Sequence, residues 1–571
     1  MEEPALGLSL RAPTVQIEAH QKIGPTTKLE WEKKVIKRTL LASLIACGVS
    51  TAQAAELDEF NDVAQDITKA PYNAKCNGSA DDSPAFEKAV RDGGTFFIPP
   101  GSRCMLKSTS DHAWSSSTVF YGLAGARDDT HIDIGSGNTF SLRSGARVGI
   151  YNLRIKNGGN FLVANDSLSG TVHKINCVNN FWDNVNTWCL RWGDNSEKAN
   201  AKIGRMHVEN NTAFMPDGGE GLFAFGGQYE NIRIVNNFQS GGRRGIRLGF
   251  VANDDPGGEI HERTNFLISG NIVRDIDGRN TSSGVTVSCI DAMGRNVIIS
   301  NNICEDIYDN HEANTECIYS KSQHVVISGN TLNNCGANQG GILLKGAQGG
   351  GSVENCSSGA CARQSIVSNN TIRNTDTTLN NYNCVWVQST NAIIEGNHFD
   401  GCTNAAVNVS NSGTYRNIVV RNNQVHNHAG PVAFYVQGNK ENIVIEGNTV
   451  HGFNRSATSS MQGVDIYVRD GADMNGIRIA NNRFFFGEQS NTATTGVTVD
   501  VLGSGVLEDI EVVGNYFDRM DTCIDVHNNN TLRYMTVMTN QMHHCNTPYK
   551  RTGGSVSNGM TSNNRGWSGN L

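Results

Sequence analysis

The chain has 571 residues with a formal net charge of -8, 62 glycines, 11 prolines and 7% aromatic residues. The charge excludes a generally basic nucleic-acid binder. A core built from so many glycines and so few aromatics requires short segments and frequent turns.

In chain order, Lys33, Lys34, Lys37 and Arg38 precede the apolar run from Thr39 to Val49, and Ala52-Gln53-Ala54 then offers small residues where a signal peptidase cuts. This is the pattern of a secretion signal. It spans residues 35–54 behind a leader of uncertain role at 1–34, as if translation began near Val35. An alternative takes Leu44-Ile45-Ala46-Cys47 as a lipoprotein box with Cys47 carrying lipid. Either way the mature protein is expected in an extracellular or periplasmic setting with no membrane span.

Residues 55–115 read as an amino-terminal cap. Ser83 is placed to cap a helix whose first residue is Pro84 and which ends near Gly93. Such a helix would cover the strand edges that the end of a solenoid leaves unpaired.

From residue 116 to 550 a phrase of the type Val-Ile-Ile-Ser-Asn-Asn recurs. Its anchoring asparagines are Asn180, Asn211, Asn237, Asn271, Asn302, Asn330, Asn370, Asn397, Asn423, Asn448, Asn482, Asn515 and Asn540. Each copy is an alternating apolar strand, as in Val325-Val326-Ile327, followed by a turn at Gly-Asn or Asn-Asn. Helical periodicity is absent, and the intervals are too unequal for propeller blades. The remaining fold is an all-β, right-handed parallel β-helix, in which stacked asparagines satisfy backbone groups at each bend. Segments 349–362 and 489–495 read as insertions between coils, and 551–571 as a polar, loosely packed tail.

Once the signal is removed, fourteen cysteines remain, an even number suited to an oxidising compartment. Cys317, Cys384 and Cys523 each precede an apolar strand pair, while Cys335, Cys402 and Cys545 each lie five residues after a ladder asparagine. Three coils thus repeat one pairing, which predicts disulfides Cys317–Cys335, Cys384–Cys402 and Cys523–Cys545. The other pairs expected are Cys76–Cys104, Cys177–Cys189, Cys289–Cys304 and Cys356–Cys361.

The ladder also fixes which side chains stack on the strand before each apolar phrase. With Ile290, Ile318, Ile342, Val385, Val407, Phe434, Ile466 and Ile524 inward, the next positions should face solvent as a column Asp291, Tyr319, Leu343, Trp386, Asn408, Tyr435, Tyr467, Asp525. Two residues on, Lys321, Lys345 and Gln388 form another. Arg247 would lie beneath Asp291, with Arg243 and Arg244 in the adjoining bend. Two lysines at strand spacing repel unless an anion lies between them. Arg247, Asp291, Tyr319, Glu316, Lys321 and Lys345 therefore suit proton abstraction next to a carboxylate, with cations stabilising the enolate. His311 and His324 on flanking turns, with Arg243, Arg244, Trp386, Gln388, Tyr435 and Tyr467, would bind the polymer.

The segments Tyr72-Asn-Ala-Lys-Cys-Asn-Gly78, Asp81-Asp82 and Gly93-Gly94 through Pro99-Pro100-Gly101 resemble the amino-terminal cap of the pectin-lyase-like superfamily, departing from it at Asn73, Cys76 and Asn77. The resemblance implies the β-helix but not the reaction. The run Glu316-Cys-Ile-Tyr-Ser-Lys321-Ser with Gly341-Ile-Leu-Leu-Lys345-Gly is similar to the active strand pair of the alginate lyase and chondroitinase B family. It implies Lys321 as base. Lys345 replaces the family's arginine and the following histidine is missing, which leaves the acid role and any calcium requirement open. Three functions follow: a secreted lyase acting on an acidic polysaccharide, a glycoside hydrolase using Asp291 with Glu316 or Glu312, and a carbohydrate-binding solenoid or adhesin. No nucleotide cofactor is implied, and the protein would act as a monomer or a trimer.

Overall fold

The computed structural model describes residues 64–107, 112–164, 168, 170–192, 201–224, 228–249, 263–278, 287–308, 315–335, 340–345, 364–374, 382–410, 413–428, 430–453, 461–469, 471–486, 494–554 and 556–566. The leader, the signal segment, Cys47, Cys356, Cys361, Glu312 and His311 lie outside the described residues.

A typical coil contributes three strands, the second and third merging into one in coils such as those of Phe181–Trp192 and Tyr516–Asn528, and strands pair in parallel with their counterparts one coil away. In one coil these are Gln323–Ser328, which leads into ladder residue Asn330, then Thr331–Cys335, then Gly340–Lys345. They continue the stacks from Arg295–Ser300, Ile303–Tyr308 and Thr315–Lys321. The chain is therefore a parallel β-helix, with the first strand of each coil carrying the apolar phrase legible in the sequence.

Every predicted ladder asparagine is buried and bonded to its neighbours. Asn330 Oδ1 accepts from Asn302 N at 2.9 Å and Asn302 Nδ2 at 3.0 Å, while its own Nδ2 donates to Ile299 O at 3.0 Å and Asn370 Oδ1 at 2.9 Å. One side chain thus links three coils, and glutamine or aspartate could not reproduce both the reach and the donor. The residue before it takes a left-handed conformation, and asparagine and glycine share that site for a steric reason. A Cβ on Gly329 would lie 2.6 Å from Asn301 Oδ1.

Isoleucine and valine columns fill the interior, with a cluster of aromatic rings near the amino-terminal end including Trp114, Phe120 and Phe140. Six of the expected disulfides are present: Cys76–Cys104, Cys177–Cys189, Cys289–Cys304, Cys317–Cys335, Cys384–Cys402 and Cys523–Cys545. The seventh, Cys356–Cys361, falls outside the described residues.

Two local expectations are corrected. The cap helix runs Ser83–Asp92, and its N-cap is Asp82 rather than Ser83. Ser83 Oγ instead donates to Asp81, and the Asp82 carboxylate accepts from the backbone N–H groups of Lys75, Cys76 and Met105, tying the cap to the first coil. At the other end the tail is not featureless. Met560–Ser562 pairs with the preceding coil, and Asn564 adds a rung by accepting from Asn540 N at 3.0 Å.

Asn330→Ala removes four hydrogen bonds and leaves buried donors and acceptors unmet, so it should cost about 3 kcal/mol, read as a lower urea midpoint. Asn417→Ala, in an exposed asparagine column on the same strands, should cost less than about 1 kcal/mol. Equal losses at both positions would refute a special role for the ladder.

Candidate active site

The strands that close each coil stack in register and carry the candidate residues. Pairing runs Phe223, Arg247, Asp291, Tyr319, Leu343, Trp386, Asn408, Tyr435 on successive strands. Lys321, Lys345 and Gln388 form a second column. Arg247 beneath Asp291 and Lys321 beside Lys345 are thus where the sequence puts them.

Beyond Tyr435 the expected register slips by two residues. Val464, not Ile466, pairs with Phe434, so Asp465 stands beside Tyr435 and Tyr467 beside Gln437. Val464, Ile466 and Val468 all point inward. A period of two cannot choose among them, and the preceding turn decides.

Solvent exposure is also corrected. Asp291 and Glu316 are 0% exposed and Lys321 1%, while Tyr319, Lys345, Trp386, Tyr435 and Tyr467 are half-buried. An outward direction on a strand is not exposure when long neighbours fold over it. Here the guanidinium groups of Arg244 and Arg247 lie over the Phe223 ring, 5.5 Å and 5.8 Å from its centre.

Arg243 and Arg244 are not available cations, because both form ion pairs with Glu220. Sequence reasoning missed Glu220. The signal was its position as the one charged residue in the turn Gly218-Gly219-Glu220-Gly221, leading into the strand Gly221–Ala224 beneath the arginine coil. Arg247 Nε lies 3.0 Å from Asp291 Oδ2.

His324 does not join this group. It sits on the first strand of its coil, opposite Asn296 in a left-handed asparagine column, with φ 53°. An imidazole there replaces a turn-forming amide on a different face. The Trp386 indole N–H donates to Ser410 O at 3.3 Å, and the Tyr435 and Tyr467 rings lie 6.5 Å apart.

The electrostatics of the buried pair are unusual. Asp291 Oδ2 meets Arg247, whereas Asp291 Oδ1 and both oxygens of Glu316 are buried without a hydrogen-bond donor among the described residues. Burial pushes Glu316 up to about 8, and the Asp291 charge adds to this against the pull of Lys345 and Arg247. Burial raises Asp291 to about 6, offset by Arg247 and Arg244. The Tyr319 phenol is driven far above its ordinary value by burial and by the two carboxylates. Burial lowers Arg244 and Arg247 to about 10, so both remain cations at neutral pH.

A second group of titratable side chains lies further along the same strands. His527 Nδ1 is 2.7 Å from Asp500 Oδ1 and its Nε2 is 3.2 Å from Asp525 Oδ1, while Lys550 Nζ is 3.0 Å from Asp525 Oδ2. Burial, then Asp500, raises Asp465 to about 8.

Residues 311–450 match the family model of the right-handed beta helix region. No curated protein matches the chain. Among solved structures, similarity is found to a tailspike protein mutant of E. coli bacteriophage HK620 in complex with a hexasaccharide, at 12% identity over 90% of this chain and 80% of that one, TM-score 0.38. The A-module of the Azotobacter vinelandii mannuronan C-5 epimerase AlgE6 aligns at 12% identity over 88% and 99%, TM-score 0.27. PfbA, a surface adhesin of Streptococcus pneumoniae, aligns at 13% identity over 76% and 93%, TM-score 0.34.

A carboxyl whose folded-state pKa stands above its unfolded value makes the native state bind the extra proton. Its penalty is absent below the unfolded pKa and grows as pH rises towards the folded one. For Glu316 the window runs from about 4.5 to about 8. Thermal stability should therefore fall across this window, by a few kcal/mol at most, and Glu316→Gln should flatten the fall and be the more stable protein at pH 8.5. An unchanged slope in the variant would show that Glu316 is not the titrating group.

Proposed function

We propose that the chain cleaves a polysaccharide by acid–base chemistry at Asp291 and Glu316. The supporting observation is that two fully buried carboxyls on adjacent coils lie close enough to act on each other, both raised above their ordinary values by burial, with Arg247 beside only one of them. Such groups are costly to keep in a core without hydrogen-bond donors, and perturbed pairs of this kind concentrate at functional sites.

In hydrolysis, Glu316 delivers its proton to the leaving glycosidic oxygen as the bond to the anomeric carbon breaks. Asp291, kept ionised by Arg247, takes the proton of the water whose oxygen forms the new bond. Tyr319 keeps its proton at any working pH and serves as a hydrogen-bond donor. Lys345 at the half-buried rim favours an acidic sugar unit, and Trp386 and Tyr435 extend the binding surface along later coils. Cysteine pairing suits an extracellular or periplasmic location.

The raised phenol of Tyr319 weakens it as the base of an elimination. Lyase chemistry remains the second reading, favoured by Lys321 and Lys345 at neighbouring register positions, with the half-buried Lys345 placed to meet a substrate carboxylate. A purely adhesive role would need the aromatic residues but not the buried acid pair.

The test is incubation with uronic-acid polysaccharides, following both new reducing ends and ultraviolet absorbance. Hydrolysis gives reducing ends without a chromophore, and Glu316→Gln or Asp291→Asn should lower the rate by about 10²–10⁴-fold. Absorbance that rises in the wild type and is lost in Lys321→Ala would transfer the case to elimination. Neither signal on any polymer would count against cleavage.

A further inference from the structure

Five strands beyond Tyr319, about 24 Å at strand spacing, the same column reads Asp465, Thr498, Asp525. Val497 and Val499 are inward, so Thr498 points to the outer face, yet it is 2% exposed and its hydroxyl has no hydrogen-bond partner. Next to it, Asp465 Oδ1 is likewise buried without a donor. Buried oxygens without partners are rare and call for a ligand that donates to them. Asp500 lies against His527, and Asp525 against His527 and Lys550, which leaves Asp465 Oδ1 and Thr498 Oγ1 as adjacent oxygens with neither an ion pair nor a hydrogen bond among the described residues.

From this the geometry points to a second, non-catalytic glycan subsite at Asp465 and Thr498 that takes an uncharged or amino sugar unit. Sugar hydroxyls or an amine would donate to the two orphan oxygens. The half-buried Tyr435 ring, 6.5 Å from that of Tyr467, would flank the unit with apolar surface, and Arg469, 5.3 Å over the Tyr467 ring, would bound it on the far side. The cations nearest these acids are already engaged, Arg469 with the Tyr467 ring and hydroxyl and Lys550 with Asp525, so the unmet groups here are acceptors, which disfavours an acidic sugar.

A metal ion is the competing donor-acceptor partner and fits less well. Among the described residues, the one set of three acidic, histidine or cysteine ligand atoms close enough to share an ion is Cys76, Asp82 and Cys104 in the cap, where the two cysteines are joined as a disulfide. The carboxylates and imidazole at Asp465 to His527 do not converge in that way.

The subsite does not rest on cleavage at Glu316, and the test separates the two. Binding of hexamers of β-1,4-linked glucose, galactose, N-acetylglucosamine, glucosamine and galacturonate would be measured by calorimetry and tyrosine fluorescence on wild type, Thr498→Val, Asp465→Asn and Glu316→Gln. At least one non-acidic hexamer should bind, about tenfold more weakly to Thr498→Val and to Asp465→Asn but equally well to Glu316→Gln. Melting temperatures would establish that the variants are folded. The proposal is overturned if no non-acidic hexamer binds at millimolar concentration, or if both folded variants bind as the wild type does. Terbium luminescence sensitised by the tyrosines and lost in Thr498→Val would also overturn it, in favour of a cation site.

Discussion

The hydrogen-bonded asparagine ladder is the constraint on which the other features depend. A coil of this size bends where backbone groups would lose their partners, and burying them unpaired would cost more than the apolar columns return. Asn330 answers this by bonding to the coils on both sides at once. The ladder thereby fixes the register of the strands on either side of the bend, and the closing strand follows where the turn before it keeps count. Arg247, Asp291 and Tyr319 stand in line with one another as Asn237, Asn271 and Asn302 do.

This dependence explains what the sequence made legible. The asparagine spacing was enough for fold, coil order and the three disulfides Cys317–Cys335, Cys384–Cys402 and Cys523–Cys545, because each is a statement about register. The column from Arg247 to Tyr435 followed from the same reasoning. It failed at Tyr467, where three inward apolar residues in one strand allow two registers and only the turn distinguishes them. His324 misled because a histidine in a left-handed turn position looks like a binding residue when its asparagine neighbours in space are hidden from view.

Burial and pairing were illegible for a different reason. Alternation gives direction, but exposure depends on how long side chains from adjacent coils fold over one another. Glu220 turned an apparent basic patch into a set of ion pairs, and a glycine-rich turn offers no periodic signal from which to place it. Likewise, the sequence shows Asp291 and Glu316 as ordinary acids. Only their enclosure, with Arg247 beside Asp291 and no donor on Glu316, raises both above ordinary carboxyls.

The outer column also changes character along its length. Early coils carry the buried Arg247 and Lys321 with the half-buried Lys345, whereas later coils carry Asp465, Asp500 and Asp525 beside Arg469 and Lys550. The spacing between the two groups is then a count of coils and cannot adjust to a ligand by closing around it. A polymer that satisfies both must bring its own matching order, an acidic unit at one place and a non-acidic unit about 24 Å away. Selectivity in such a solenoid would come from the repeat of the substrate read against the repeat of the protein, with each coil acting as a fixed mark on the scale.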